Sequence, residues 1–180
     1  MEIIQLHRRA AERFRICLVE VGSDQWELPT PCAEWDVRAL VNHVTGNHEQ
    51  MALRLHGRPA DRCHDGPLAA WSAACAAVQA GLSRTEVLQQ QAPSPFGGQM
   101  SIADLARILT VDLTTHTWDL ARATGRNDPL DPEVVNEVLP MIERIHPTLA
   151  AGGKFAPAIS VPESAGAQQR LLALLGRQES

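Results

Sequence analysis

The chain has 180 residues, 44% of them hydrophobic and 21% charged, with a formal net charge of -5, which fits one ordinary globular domain able to bury its own core. Its basic residues are scattered, so no continuous basic strip offers counterion release against a phosphate backbone, and nucleic acid is excluded as the expected partner. No apolar run approaches the roughly 18 to 20 residues that a membrane helix needs, and the opening MEIIQLHRRAAERF mixes both charge signs from its second residue, unlike a secretory signal; a cytoplasmic protein with no membrane partner is expected.

In chain order, Ile3, Leu6, Ala10, Phe14, Cys17 and Val21 recur at three- and four-residue intervals, the spacing of one helical face, and Gly22 supplies a stop. A second helix is predicted from an Asp36 N-cap through Leu40, Val44, Met51 and Leu55 to Gly57. Arg58 to Pro67 is polar and turn-rich, and a third helix follows with Leu68, Trp71, Cys75, Val78 and Leu82 on one side. The length of that connection favours a crossover between helices two and three over a tight hairpin. Ala92 to Gly98, APSPFGG, reads as a loop.

Ser101 and Asp104 match the Ser-x-x-acid signature of a helix start, and the fourth helix runs from there to Gly125 without a proline. A shorter helix is predicted from about Pro132 to His146, with early acidic residues suited to the helix dipole. FAPAISVP reads as an extended strap, and QQRLLALLG as a final short helix capped by Gly176. No polar-apolar alternation is long enough for a sheet, so the fold class is all-α: a four-helix bundle with an additional short helix and an extended C-terminal strap. Residues 1–150 form the bundle in this reading, and 151–180 the strap and short helix packed on it.

Cys17, Cys32, Cys63 and Cys75 sit at irregular spacings without a CxxC pair, which argues against a zinc ribbon or a thioredoxin-like site and for free, mostly buried thiols. Cys32 stands apart, because it follows Pro31 in a turn just before a helix, where a thiol can have a lowered pKa.

Chemistry concentrates in the fourth helix. Ile102, Leu105, Leu109, Asp112, His116 and Leu120 follow one another at steps of three or four, so an acid and a histidine interrupt the apolar seam. Four residues apart on one face, their Cβ atoms stand roughly 5 to 6 Å from each other, a span that suits a metal with bonds of about 2.0 to 2.2 Å. A carboxylate at a core position requires an explanation. Either the two form a satisfied polar contact, or both are metal ligands oriented by hydrogen bonds behind them. A further ligand would come from the second helix, which offers His43 and His48. Projected at about 100° per residue, His48 lies nearer the centre of the apolar stripe and His43 toward its edge; periodicity favours His48, while an edge position in a bundle also reaches the interior.

LPTPCAEWDVRALVNHVTGN, Leu28 to Asn47, together with DLTTHTWDLARATG, Asp112 to Gly125, resembles the metal-binding domain of mycothiol-dependent maleylpyruvate isomerases, part of the broader DinB-like group of actinobacterial bundle proteins. The ending from Phe155 to Arg177 is similar to the tail of an uncharacterised single-domain branch. The resemblance implies a DinB-like four-helix bundle with a zinc-type site, one histidine on the second helix and an acid-xxx-His pair on a later one. Matched residue by residue, these fall on His43, Asp112 and His116. Zinc is the first metal implied, with nickel or iron as alternatives, and mycothiol is the implied thiol. Two departures from the resemblance are read: the characterised isomerases carry glutamate where this chain has Asp112, and their second C-terminal domain, which adds a basic residue to the substrate site, is not expected within these 180 residues.

Around these motifs, Trp35 and Trp118 read as packing residues. Asp119 fits either an acceptor behind a ligating histidine or an exposed helix charge. Arg122 faces solvent or pairs with Asp119, and His7, His56, His64 and His146 carry no special role. Two functions follow. One is a metal-dependent isomerase or transferase that uses a small thiol and an electrophilic substrate; the other is a non-catalytic metal-binding sensor or partner-binding bundle, acting as a homodimer through an exposed helix face.

Overall fold

The computed structural model describes residues 1–33, 35–58, 65–151 and 157–179. Cys63, His64 and the first residues of the expected strap, Phe155 and Ala156, lie outside them. Among the described residues, α1 (Ile3–Val19), α2 (Val37–His56), α3 (Pro67–Leu82) and α4 (Ile102–Ala123) build a four-helix bundle, followed by α5 (Pro132–Ala151) and α6 (Ala167–Leu174). This is the all-α bundle with additions that the sequence predicts.

Local chemistry sets the helix ends. The Asp36 carboxylate accepts from the Ala39 N–H at 2.7 Å and starts α2, and Gly57, at φ 69°, ends it in the left-handed region. Ser101 starts α4 by accepting from the Asp104 N–H at 3.1 Å while its hydroxyl donates to the Asp104 carboxylate at 2.8 Å, a variant of the capping box. Helix α1 stops at Val19, shortly before the expected Gly22. Helix α5 runs past the expected His146 to Ala151 and contains both Pro140 and Pro147.

The packing order corrects the expected crossover. Helices α1 and α2 each pack on both α3 and α4, so α2 and α3 are neighbours and the diagonal crossings are α1 to α2 and α3 to α4. Those two connections are longer than the one between α2 and α3. The second of them holds a small element that the expected loop does not include: β1 (Gln91–Pro93) pairs antiparallel with β2 (Gln99–Ser101), Ala92 opposite Met100. Three-residue strands are too short for alternation to show. Gly97 and Gly98, at φ 93° and 71°, close the turn between them, and the ribbon carries Pro95 and Phe96 to the mouth of a cavity described below.

Phe14, Leu40, Leu82, Leu113, Leu120 and Ile142 are fully enclosed, and α6 adds Leu171 and Leu172 to the same core while packing on α5. Two glycines test how tightly the bundle closes. A Cβ on Gly81 of α3 would stand 2.7 Å from Cβ and Cδ1 of Leu55, whereas one on Gly46 of α2 meets nothing within 4 Å. Gly46→Ala should therefore stabilise the protein by about 0.5–1 kcal/mol through helix propensity. Gly81→Ala should instead cost about 1–3 kcal/mol, because α2 and α3 must move apart. Chemical denaturation of both variants decides this; a gain in Gly81→Ala would show that the helices separate freely.

The core also holds two histidines. His7 and His48 are both fully buried, with Nε2 to Nε2 at 3.2 Å. His48 Nδ1 lies 2.7 Å from the Val44 carbonyl, which only accepts, so Nδ1 carries the proton and the neutral ring presents a lone pair at Nε2. His7 therefore donates from Nε2, and its buried Nδ1 has no partner among the described residues. Burial, then the proximity of His48, lowers the His7 pKa to about 3; burial also lowers that of His48, against the Val44 carbonyl and Asp112.

Both rings are neutral when folded and take up protons on unfolding below the ordinary value of 6.5. The contribution of this pair to stability is thus complete above that pH and falls as the solution is acidified. Below 6.5, His116, whose folded pKa is raised, is protonated in both states, and the lowered carboxylates Asp112 and Asp119 enter only near their ordinary 3.8. Between those limits the expected loss is up to about 1.4 kcal/mol per pH unit for each histidine of the pair. Urea melts across this window should show a shallower slope in His7→Leu; an unchanged slope would place the acid sensitivity elsewhere.

Candidate metal centre

Helix α2 contributes His43 and Asn47, one turn apart, and the facing helix α4 contributes Asp112 and His116, also one turn apart. Across the seam His43 Nε2 lies 3.2 Å from Asp112 Oδ1, and His116 Nε2 lies 3.5 Å from the same oxygen. One donor atom from each of the three falls within 4.8 Å of the others. The Asn47 amide donates to the other carboxylate oxygen, Oδ2, at 3.0 Å, which fixes the plane of Asp112. Trp35 packs its ring 4.4 Å from that of His43 and 5.5 Å from that of His116, and the two imidazoles meet edge-on at 5.0 Å.

Behind His116 stands a second row. Its Nδ1 donates to Asp119 Oδ2 at 2.9 Å, leaving Nε2 to face His43 and Asp112. Asp119 is fully buried and receives a fork from Arg177, Nε to Oδ1 at 3.2 Å and Nη2 to Oδ2 at 2.8 Å. The same Nη2 lies 2.8 Å from Cys32 Sγ.

Charge follows from these contacts. Burial pushes the Asp112 carboxyl up, but hydrogen bonds from His116 and His43 outweigh it and hold it below the ordinary carboxylate range. Burial opposes charge on His116, yet Asp112 and Asp119 raise its pKa well above the usual value. Asp119 is likewise held low by His116 and Arg177 against the cost of burial. A part-buried carboxylate facing two imidazoles is an arrangement that a cation neutralises well.

The donor set fits a divalent metal. Ligands about 2.1 Å from a tetrahedral centre stand ~3.4 Å apart, close to the 3.2 and 3.5 Å found here. Two imidazoles and a carboxylate suit zinc and other first-row ions. A second potential group, Cys32, His116 and Asp119, is already served by the Arg177 guanidinium, which contacts both Sγ and Oδ2 and supplies the positive charge an ion would bring.

The triad opens on a cavity of about 720 Å³, in the size range of small-molecule sites. Trp35, Met51, Phe96, Leu105 and Leu109 form its apolar walls, and Asn47, Gln50, Arg54, Cys32 and Arg177 add polar groups.

The structure brings His43, Asp112 and His116 together and takes His48 away, into the core beside His7. Periodicity thus located a fully buried position of α2 and not the one at the cavity, because the site lies along the α2–α4 seam while His48 meets His7 of α1. His7, expected to carry no special role, is the other half of that buried pair. Asp119 is buried behind His116, whereas Arg122 stacks over the Trp118 ring at 5.0 Å and bonds Asn127. Trp118 is buried packing, with its indole N–H unpartnered among the described residues; Trp35 is half-buried at the cavity. Cys17 and Cys75 are buried free thiols, Cys75 pushed up to about 12 by burial. Asn47 and Arg177 escape the sequence reading: Asn47 follows His43 by one turn, a signal in plain view, but nothing local marks Arg177.

Residues 7–121 match the mycothiol maleylpyruvate isomerase N-terminal domain family. Two uncharacterised proteins from two strains of Mycobacterium tuberculosis are each 36% identical to this chain over 194 aligned positions, covering 98% of this chain and 98% of the relative. No solved structure matches. The chain belongs to the mycothiol maleylpyruvate isomerase N-terminal domain family.

Proposed function

We propose that this family member is a cytoplasmic, metal-dependent enzyme that uses a small thiol, mycothiol in the first place, to isomerise or transfer a group on an electrophilic substrate. His43, Asp112 and His116 would hold a divalent ion, zinc before nickel or iron. The observation that carries this reading is the convergence of three donor atoms within 4.8 Å at the wall of a cavity large enough for a small molecule. A divalent ion held there supplies Lewis-acid chemistry, lowering the pKa of a thiol or water ligand and polarising a carbonyl.

The chain's own residues prepare the rest. Asn47 orients the Asp112 carboxylate, Asp119 keeps the His116 proton on Nδ1, and Trp35 limits rotation of both imidazoles. Three protein ligands leave a position open toward the cavity, the feature that separates catalytic from closed structural sites. The apolar walls exclude water around a reacting thiol and carbonyl, where electrostatic effects are stronger.

Elemental analysis of the parent, His43→Ala and His116→Ala is the first test. About one equivalent in the parent and none in either variant supports the ligand set; no metal in the parent after reconstitution overturns it. A loaded parent is then titrated with mycothiol. Binding supports the enzyme reading, and a metal-loaded protein that takes no thiol is a metal-binding module of the sensor type.

A further inference from the structure

We propose that Arg177, brought in by the C-terminal segment, is a positioning residue for the metal centre: it clamps Asp119, which in turn holds the His116 ring with Nε2 facing the ion. The proposal rests on the reading of His43, Asp112 and His116 as ligands, and it makes the turn after α6 a working part of the site.

The turn is built for this. Helix α6 ends in a double cap: the Gly176 N–H bonds the Ala173 carbonyl at 3.1 Å and the Arg177 N–H bonds that of Leu172 at 2.8 Å, with Gly176 at φ 75°. This is the Schellman arrangement, which requires a left-handed residue at that point and reverses the chain. Arg177 is thereby folded back onto the bundle, and its Nη1 donates to the Leu175 carbonyl at 2.7 Å. The guanidinium keeps Nε and Nη2 for the two oxygens of Asp119. Both oxygens are then oriented, and Oδ2 accepts the His116 Nδ1 proton at 2.9 Å. A free carboxylate would rotate; a forked one cannot, so the imidazole plane and tautomer follow from the arginine.

The bland alternative is an ion pair that fastens α6 to the bundle. Helix α6 is already fastened by Leu171, Leu172 and Leu175, all essentially without exposure, and a buried pair is weak evidence for stabilisation, since apolar residues of similar size do as well. A forked guanidinium is specific to recognition of a planar carboxylate in one orientation. That specificity matters at Asp119 because Asp119 carries the ligand histidine.

The test compares Co²⁺ and Zn²⁺ affinity, measured by chelator competition, and the Co²⁺ ligand-field spectrum in the parent, Arg177→Met, Arg177→Lys and Arg170→Met. Arg170 pairs with Glu143 on the exposed side of α6 and serves as control for helix anchoring. Arg177→Met should weaken metal binding about 10–100-fold, the range for residues behind metal ligands, and alter the spectrum. Arg177→Lys, which keeps charge without the fork, should fall between, and Arg170→Met should match the parent. Parent-like affinity and spectrum in both Arg177 variants would overturn the proposal while leaving the metal centre intact. If Arg177→Met does not fold, the lysine variant alone decides, parent-like binding counting against it. A parent that binds neither ion fails at the earlier reading.

Discussion

His116→Ala will bind no divalent metal at concentrations that saturate the parent, and its thermal midpoint will be indifferent to added metal or chelator. The substitution removes the Nε2 that faces Asp112 at 3.5 Å and leaves only His43 and Asp112, two donors where an open zinc-type site needs three. The loss should exceed the roughly 10–100-fold that residues behind the ligands command. In the parent, free metal at about 100 times its dissociation constant adds about 2.7 kcal/mol by mass action. For a chain of this size that corresponds to a rise of about 5–11 °C. Melting curves with and without chelator read the difference directly, and circular dichroism checks that the variant is helical. A chelator-sensitive His116→Ala protein would place the ion elsewhere, away from the α2–α4 seam.

Asp119→Ala will destabilise the protein by about 3–5 kcal/mol, the cost of leaving a buried charge without its partner. Arg177 is nearly enclosed and its fork has both tines on this one carboxylate. Its other hydrogen bonds go to the Leu175 carbonyl and Cys32 Sγ, and neither partner is a carboxylate. His116 loses its Nδ1 acceptor in the same step. The double variant Asp119→Ala with Arg177→Ala removes the orphaned charge, so its loss should be clearly smaller than the sum of the singles, with a coupling of about 1–3 kcal/mol. Guanidinium denaturation of the three variants measures that coupling. Additive losses would mean that water reaches the guanidinium and the pair is not sealed.

Much of the site was legible in short-range pattern. Asp112 and His116 break an apolar 3-4 rhythm, and a carboxylate at such a position signals by itself that a partner must stand opposite. Choosing between His43 and His48 was beyond periodicity, because both positions face the interior and only the neighbouring helices differ: α4 beside His43, α1 beside His48. The β1–β2 ribbon escaped notice because three residues cannot show a period of two. In the sequence Asp119 fits an acceptor behind the histidine and an exposed helix charge equally well; its burial and its contact with His116 Nδ1 at 2.9 Å come from the packing.

Local spacing along the chain was enough for the helices, their capping at Asp36, Ser101 and Gly176, the all-α class, and an acid and histidine placed one turn apart. The rest came from how the helices pack. Packing put α2 against α4, so that His43 completes the triad, and folded the turn after α6 back so that Arg177 reaches Asp119 across 58 residues of chain. The physical reason is that backbone hydrogen bonds and side-chain periodicity act over three or four residues, while which helices become neighbours depends on the lengths of their connections and the burial of whole faces.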